Sequence, residues 1–265
     1  MIGLSGPSDR RFDDYRSLND QAFRRRYEGE EIFMVEGYVA IDRLIESGHR
    51  IRSVLLAPSR VERFTHGELL ASRSVPVFVA DRKVMAEVVG FDLHRGVVAC
   101  AERRPAPTVA ALVSTARRLA VLEGLNDNEN LGAIARAAKA FGIDGLLLDP
   151  PCTDPYSRRT VRVSMGEVLT LPIARAVAGA WPSALAAVGA AGFERWAMTP
   201  SSGAENLWEL QVPDRVAVML GAEGPGLTRE ALDEADRCVR IPIRAEVDSL
   251  NVAQAAAIAF AALTR

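Results

Sequence analysis

From residue 106 onward, short apolar segments near Leu119, Leu146, Leu169, Phe193, Val216 and Val239 alternate with helical stretches. This alternation predicts an α/β fold whose mostly parallel sheet is covered on both faces. Three of the predicted strands end in loops of one kind. Leu119–Leu122 runs into Glu123-Gly124-Leu125-Asn126-Asp127-Asn128-Glu129-Asn130-Leu131-Gly132, and Val216–Leu220 into Gly221-Ala222-Glu223-Gly224-Pro225-Gly226. Val239–Ile243 leads towards Ser249-Leu250-Asn251. Ligands in open parallel sheets bind beyond the C-terminal strand ends, so these loops predict one shared site.

Arg103-Arg104-Pro105-Ala106-Pro107-Thr108 is the expected linker, because two prolines so close together disfavour both helix and central strand. It divides the 265 residues into domains 1–105 and 106–265. In the first, Ile32–Val35, Ile51–Leu56, Val75–Val79 and Gly96–Ala101 read as strands and Tyr38–Ser47 as a helix, a small α/β domain.

A formal net charge of −2 excludes a uniformly basic surface, so any nucleic-acid site has to be a local patch. Arg24-Arg25-Arg26 is one such cluster, read either as a backbone-contacting patch or as a solvated helix face. Three widely spaced cysteines and three histidines argue against a metal site or a disulfide framework. Met1–Arg16 is polar, and the apolar run Val252–Leu263 is short and interrupted by Gln254, so no leader or membrane span is expected. The expected location is cytoplasmic.

In the helix expected from about Asn130, the stripe Leu131, Ile134, Ala138 and Phe141 should face the sheet, with Gly142 as its stop. Arg136 falls on the opposite side with Gly132, Ala133 and Ala140, as either a solvated arginine or a ligand contact. Asn130, and likewise Ser249 and Asn251 before the last helix, read either as helix caps or as site residues. No Gly-x-Gly-x-x-Gly or Walker lysine pattern is present, which weakens dinucleotide and P-loop readings.

Taken together, the three loops resemble the three motifs of the SpoU/TrmH branch of the SPOUT RNA methyltransferases. Asn130-Leu131-Gly132-Ala133-Ile134-Ala135-Arg136 looks like the first, Gly221–Gly226 like the second, and Ile241-Pro242-Ile243 through Ser249-Leu250-Asn251 like the third. Ser164-Met165-Gly166 also fits. Phe33-Met34-Val35-Glu36-Gly37 is similar to the substrate-binding domain often fused ahead of this catalytic domain, which resembles a ribosomal RNA-binding protein. Two positions depart from the pattern: Asn128 stands where proline is common, and Ala245 where glycine is common.

The resemblance implies a SPOUT-type parallel sheet with a C-terminal trefoil knot, a homodimer, and S-adenosylmethionine as cofactor. By it, Thr199, Gly221, Ile241 and Leu250 hold the cofactor through their backbone, and Glu223, Ser249 and Asn251 shape its pocket. The implied reaction is methyl transfer to a ribose 2′-hydroxyl of RNA, most readily ribosomal RNA. Arg136 and Asn130 are the implied catalytic residues, with Arg162 and Arg24 to Arg26 as substrate contacts. A transfer-RNA substrate is the alternative within this class, and an RNA-binding protein without catalysis the alternative outside it.

Overall fold

The computed structural model describes residues 1–20 and 31–264, so the Arg24 to Arg26 cluster lies outside the described residues. It consists of two compact units. One comprises Met1–Arg104 with Tyr156–Thr170, the other Pro105–Pro155 with Leu171–Arg265. Tyr156–Thr170, assigned above to the second domain, therefore packs with the first. The contacts explain this: Arg43 Nε donates to Glu167 Oε1 at 2.8 Å, and Gly166 lies so close to Ala40 that a Cβ there would meet its Cα at 2.8 Å. Arg158 reaches buried Glu36 at 3.1 Å. Arg162 and Ser164-Met165-Gly166 consequently belong to the first unit.

The first unit holds a five-stranded sheet of β1 (Ile2–Leu4), β2 (Ile32–Glu36), β3 (Ile51–Leu56), β4 (Val77–Ala80) and β5 (Val97–Glu102), in the order β1-β4-β3-β5-β2. β1, β4 and β3 are mutually parallel, while β5 runs antiparallel to both β3 and β2. β2 is buried along its whole length, as its apolar run predicts, and Gly37 turns it into helix Tyr38–Ser47. Gly37 has φ +90°, a conformation that side chains resist. Helices Gly67–Ser72, Arg82–Val89 and Arg158–Val163 also belong to this unit.

The second unit is built on β6 (Arg118–Leu122), β7 (Gly145–Leu148), β8 (Ile173–Arg175), β9 (Glu194–Met198), β10 (Glu205–Asn206), β11 (Val216–Leu220) and β12 (Arg237–Arg240). Their order is β10-β12-β9-β11-β6-β7-β8, and every pairing is parallel. The central strands β6 and β11 are buried almost throughout, which fits their near-continuous hydrophobic runs.

The strand expected near Leu169 is instead a 3-10 turn, Glu167–Thr170, and β8 begins two residues beyond Leu171. Pro172 separates the two, and its carbonyl accepts from Leu146 N–H, so pairing with β7 starts only there. Helices Asn128–Ala140 and Val252–Ala262 pack against each other, and Ala256, Ala259 and Phe260 of the latter are fully buried.

Candidate active site

The C-terminal ends of β9, β11 and β12, three adjacent strands, open onto one cavity of about 310 Å³, within the range of small-molecule sites, roughly 300 to 1,000 Å³. Thr199 follows β9, Leu220 ends β11 with Gly221 to Gly224 and Gly226 after it, and Ile241, Ile243 and Ser249 to Val252 follow β12, with Ala255 of the last helix on the same wall. All the residues proposed above for cofactor binding (Thr199, Gly221, Glu223, Ile241, Ser249, Leu250 and Asn251) line this cavity.

One side chain joins the three loops. Asn251 Nδ2 donates to Asn130 Oδ1 at 3.0 Å and to Glu223 Oε1 at 2.6 Å. Its Oδ1 accepts from the backbone N–H of Ala253 and Gln254, capping helix Val252–Ala262. The two roles posed as alternatives for Asn251 are thus held at once. Asn130 has no capping role. Helix Asn128–Ala140 starts two residues earlier than expected, capped by Asp127, whose carboxylate accepts from Glu129 N–H at 2.7 Å. Asn130 is left buried in the first turn, with its side-chain oxygen turned to Asn251.

Asn128 occupies the first helical position, where proline is favourable because no backbone N–H is needed. Here its side chain does work that proline cannot: Thr153 Oγ1 donates to its Oδ1 at 2.6 Å. The strand ends beneath are pinned as well. Arg175 donates to the carbonyls of Asp149, Pro150, Cys152 and Thr153, and buried Asp149 accepts from the N–H of Gly124 and Cys152. Burial pushes the Cys152 thiol up to about 12, so it stays protonated and inert.

Glu123 was not singled out by the motifs, yet it clamps the glycine loop. Its backbone N–H donates to Leu220 O at the loop's entry, and its carboxylate, only 4% exposed, accepts from Thr228 N–H and Thr228 Oγ1 at the loop's exit, each at 2.8 Å. Trp181 Nε1 donates to the same carboxylate at 2.6 Å. A charged residue between the apolar strand and Gly124 is the one trace of this in the sequence; its partner lies more than 100 residues away.

Gly221 is required by the loop's own closure. A Cβ there would meet the Gly226 carbonyl carbon at 2.1 Å and Leu227 N at 2.2 Å, so the loop backbone, rather than a ligand, excludes a side chain. Arg136 stands apart. It is exposed, six residues and about 9 Å along the helix axis from Asn130, and makes no ion pair or hydrogen bond among the described residues. The site therefore gathers Asn130, Glu223 and Asn251 and leaves Arg136 on the outer face of the same helix.

An all-parallel sheet with a cavity built from loops at its C-terminal edge defines a small-molecule-binding α/β protein. Two family models match the chain: the SpoU rRNA Methylase family over residues 117–261, and RNA 2′-O ribose methyltransferase substrate binding over residues 34–107. A Mycobacterium tuberculosis protein described as an uncharacterized tRNA/rRNA methyltransferase is 43% identical, covering 98% of this chain and 90% of its own length. A 23S rRNA (guanosine-2′-O-)-methyltransferase of Salmonella typhimurium is 26% identical over 85% of this chain and 95% of its own. The crystal structure of an AdoMet-bound rRNA methyltransferase from Sinorhizobium meliloti superposes with a TM-score of 0.82 at 28% identity, covering 98% of this chain and 96% of that one. The chain belongs to the SpoU rRNA methylase family.

Proposed function

We propose that this protein transfers a methyl group from S-adenosylmethionine to a ribose 2′-hydroxyl of ribosomal RNA. The observation that carries the reading is the joining of Asn130, Glu223 and Asn251, one residue from each motif, beside a cavity at the sheet's C-terminal edge. The named relatives with a defined substrate are 23S rRNA methyltransferases, which supports ribosomal over transfer RNA.

The cavity lining fits the cofactor chemically. Leu220, Ile241, Leu250 and Val252 offer apolar surface to a flat base, while Thr199, Ser249 and Glu223 offer polar groups to a sugar and an amino-acid tail. Among the described residues, Arg244–Leu250 carries a single backbone hydrogen bond, Val247 N–H to Arg244 O, which leaves backbone donors and acceptors there to meet a ligand.

When bound, S-adenosylmethionine supplies an electrophilic methyl on a sulfonium sulfur. Among the described residues Glu223 is the one ionisable residue lining the cavity, so its carboxylate is the acceptor available for the proton leaving the ribose hydroxyl. Asn251 holds that carboxylate in place by donating to it, and Asn130 in turn fixes Asn251 by accepting from the same amide nitrogen. Arg136 stays charged and cannot accept a proton, so it orients the substrate by gripping a neighbouring phosphate. Correct alignment alone accounts for as much as roughly 7 to 11 kcal/mol of such a barrier.

To this reading belong three family features: a trefoil knot in the C-terminal half, a homodimer, and a cytoplasmic location where ribosomes are assembled. Arg162 and Arg24 to Arg26 remain candidate RNA contacts within it. No helix among the described residues is long and apolar enough to cross a membrane.

The test is calorimetric titration with S-adenosylmethionine. Gly221 is a poor site for a blocked control because any side chain there breaks the loop; Ala255→Phe, which fills the cavity from the helix wall, is the better one. Saturable binding by the wild type, lost in a folded Ala255→Phe, is the expected result. A folded wild type that takes up no cofactor would overturn the proposal.

A further inference from the structure

The first unit carries a second, larger cavity of about 660 Å³, lined by none of the residues named above as site candidates. It lies at one edge of the five-stranded sheet, where β3 and β4 begin and β5 ends, and is lined by His49, Arg50, Ile51, Arg52, Arg73, Ser74, Val75 and Glu102. Arg104, exposed, comes to the same edge: its Nη1 lies 3.3 Å from where a Cβ on Gly48, the residue before His49, would stand. Four arginines from three separate stretches of the sequence thus converge on one open hollow.

Their pairing leaves an excess of positive charge. Arg50 meets Glu102 at 2.8 Å and Arg52 meets Asp14 at 3.1 Å. Arg73 and Arg104 make no side-chain ion pair or hydrogen bond among the described residues. The Arg50 side chain is 77% exposed, and an ion pair so open to water contributes little, so Arg50 can exchange Glu102 for another anion at small cost. On a chain of net charge −2 this is a local basic patch of the kind an RNA site requires.

We propose that this arginine-lined edge holds the phosphodiester backbone of the RNA substrate, with Arg73 and Arg104 as its principal phosphate contacts and Arg50 as an exchangeable third. The inference rests on the reading of the protein as an RNA methyltransferase and adds to it where on the first unit the RNA is held. Guanidinium groups spread across an open hollow suit a chain of phosphates, which takes one cation per charge along its length. Among the described residues His49 is the one ring lining the hollow, and it is buried edge-on against Phe33 and Tyr156, so the contact reads backbone rather than base.

The experiment measures binding of the full chain to unmodified 23S rRNA transcribed in vitro, over a series of salt concentrations. For the double variant Arg73→Ala/Arg104→Ala the expected slope of log affinity against log salt is shallower by roughly 1.4 to 1.8, two phosphate contacts' worth. Arg73→Lys/Arg104→Lys, which keeps the charge, should restore the slope. S-adenosylmethionine binding, which uses the other unit, should be unchanged in both. An unchanged slope in a folded alanine variant would overturn the assignment while leaving the methyltransferase reading intact. Wild-type protein that binds the cofactor but not the RNA would overturn both. Titration with inorganic phosphate separates a small-anion site: saturable phosphate uptake lost in the alanine variant, with RNA binding unaffected, would also refute the proposal.

Discussion

At the scale of single residues, Asn251 concentrates more of this site than any other position. Its oxygen caps the start of a helix and its nitrogen ties two other loops, so the atoms of one amide serve stability and function separately. Asn251→Asp tests that division. The capping oxygen survives, and aspartate is an equally good cap beside the positive end of a helix. The donor, however, becomes a second carboxylate facing Glu223 where 2.6 Å now separates donor from acceptor. Thermal unfolding should move little, while cofactor affinity falls by at least ~10-fold, about 1.4 kcal/mol, the order of one lost hydrogen bond to a charged group. Equal affinity in the two proteins would show the bridge to be incidental. The pattern Ser249-Leu250-Asn251 made the residue visible in the sequence, but local spacing offered cap or site as alternatives because the partners of the nitrogen lie 28 and 121 positions away.

At the scale of elements, the glycine loop owes its shape to its neighbour. Residues 220 to 228 are held at both ends by Glu123, and Gly124 presses against Ala222, whose Cβ lies 3.2 Å from where a side chain on Gly124 would begin. The pair 123 and 124 therefore forms a clamp one strand away from the loop it shapes. In Glu123→Gln, the amide oxygen can still accept from Trp181 and Thr228 Oγ1, but an NH₂ group confronts Thr228 N–H. The expected cost is about 1 to 3 kcal/mol, the penalty of a buried donor left unmade, with cofactor affinity reduced alongside. Urea unfolding and calorimetry on the same variant check both, and an affinity matching the wild type would limit Glu123 to a structural role. Helix Asn128–Ala140 shows what periodicity conveys: Leu131, Ile134 and Ala138 are fully buried and Arg136 exposed, as a 3.6-residue repeat requires. Its start falls two residues before the expected position because the cap is Asp127 rather than Asn130, a choice that only the hydrogen bonds decide.

For the whole molecule, the first unit carries a pH dependence that the catalytic machinery does not need. His49 is 5% exposed, its Nδ1 lies 3.1 Å from Glu102 O, and its ring meets Phe33 edge-on at 5.0 Å and Tyr156 at 5.4 Å. Burial pulls its pKa down, helped by the positive charge of Arg104. The unfolded chain then binds this proton at higher pH than the folded one, from about pH 6.5 downward. Stability is therefore full above that pH and declines as pH falls towards the folded value. In His49→Phe this contribution should vanish, flattening the difference between urea midpoints at pH 7.5 and 5.5; an undiminished difference would place the dependence elsewhere. Tyr156, part of this cluster, belongs to the segment that returns to the first unit, an arrangement that a single linear boundary could not express.

The alternation of strand and helix sufficed to predict a parallel α/β sheet, because it depends on residues close together in the chain, and the chemistry was legible through the resemblance of three short loop motifs to a known family. Hydrophobic periodicity and turn chemistry are local, and so they are legible. The order of the strands was not, nor was the packing of Tyr156–Thr170 with the first unit. Glu123 beneath the glycine loop and the convergence of Arg50, Arg52, Arg73 and Arg104 on one hollow were equally hidden. These rest on contacts between residues tens to more than a hundred positions apart, and only the packed tertiary structure decides which of the possible pairings forms.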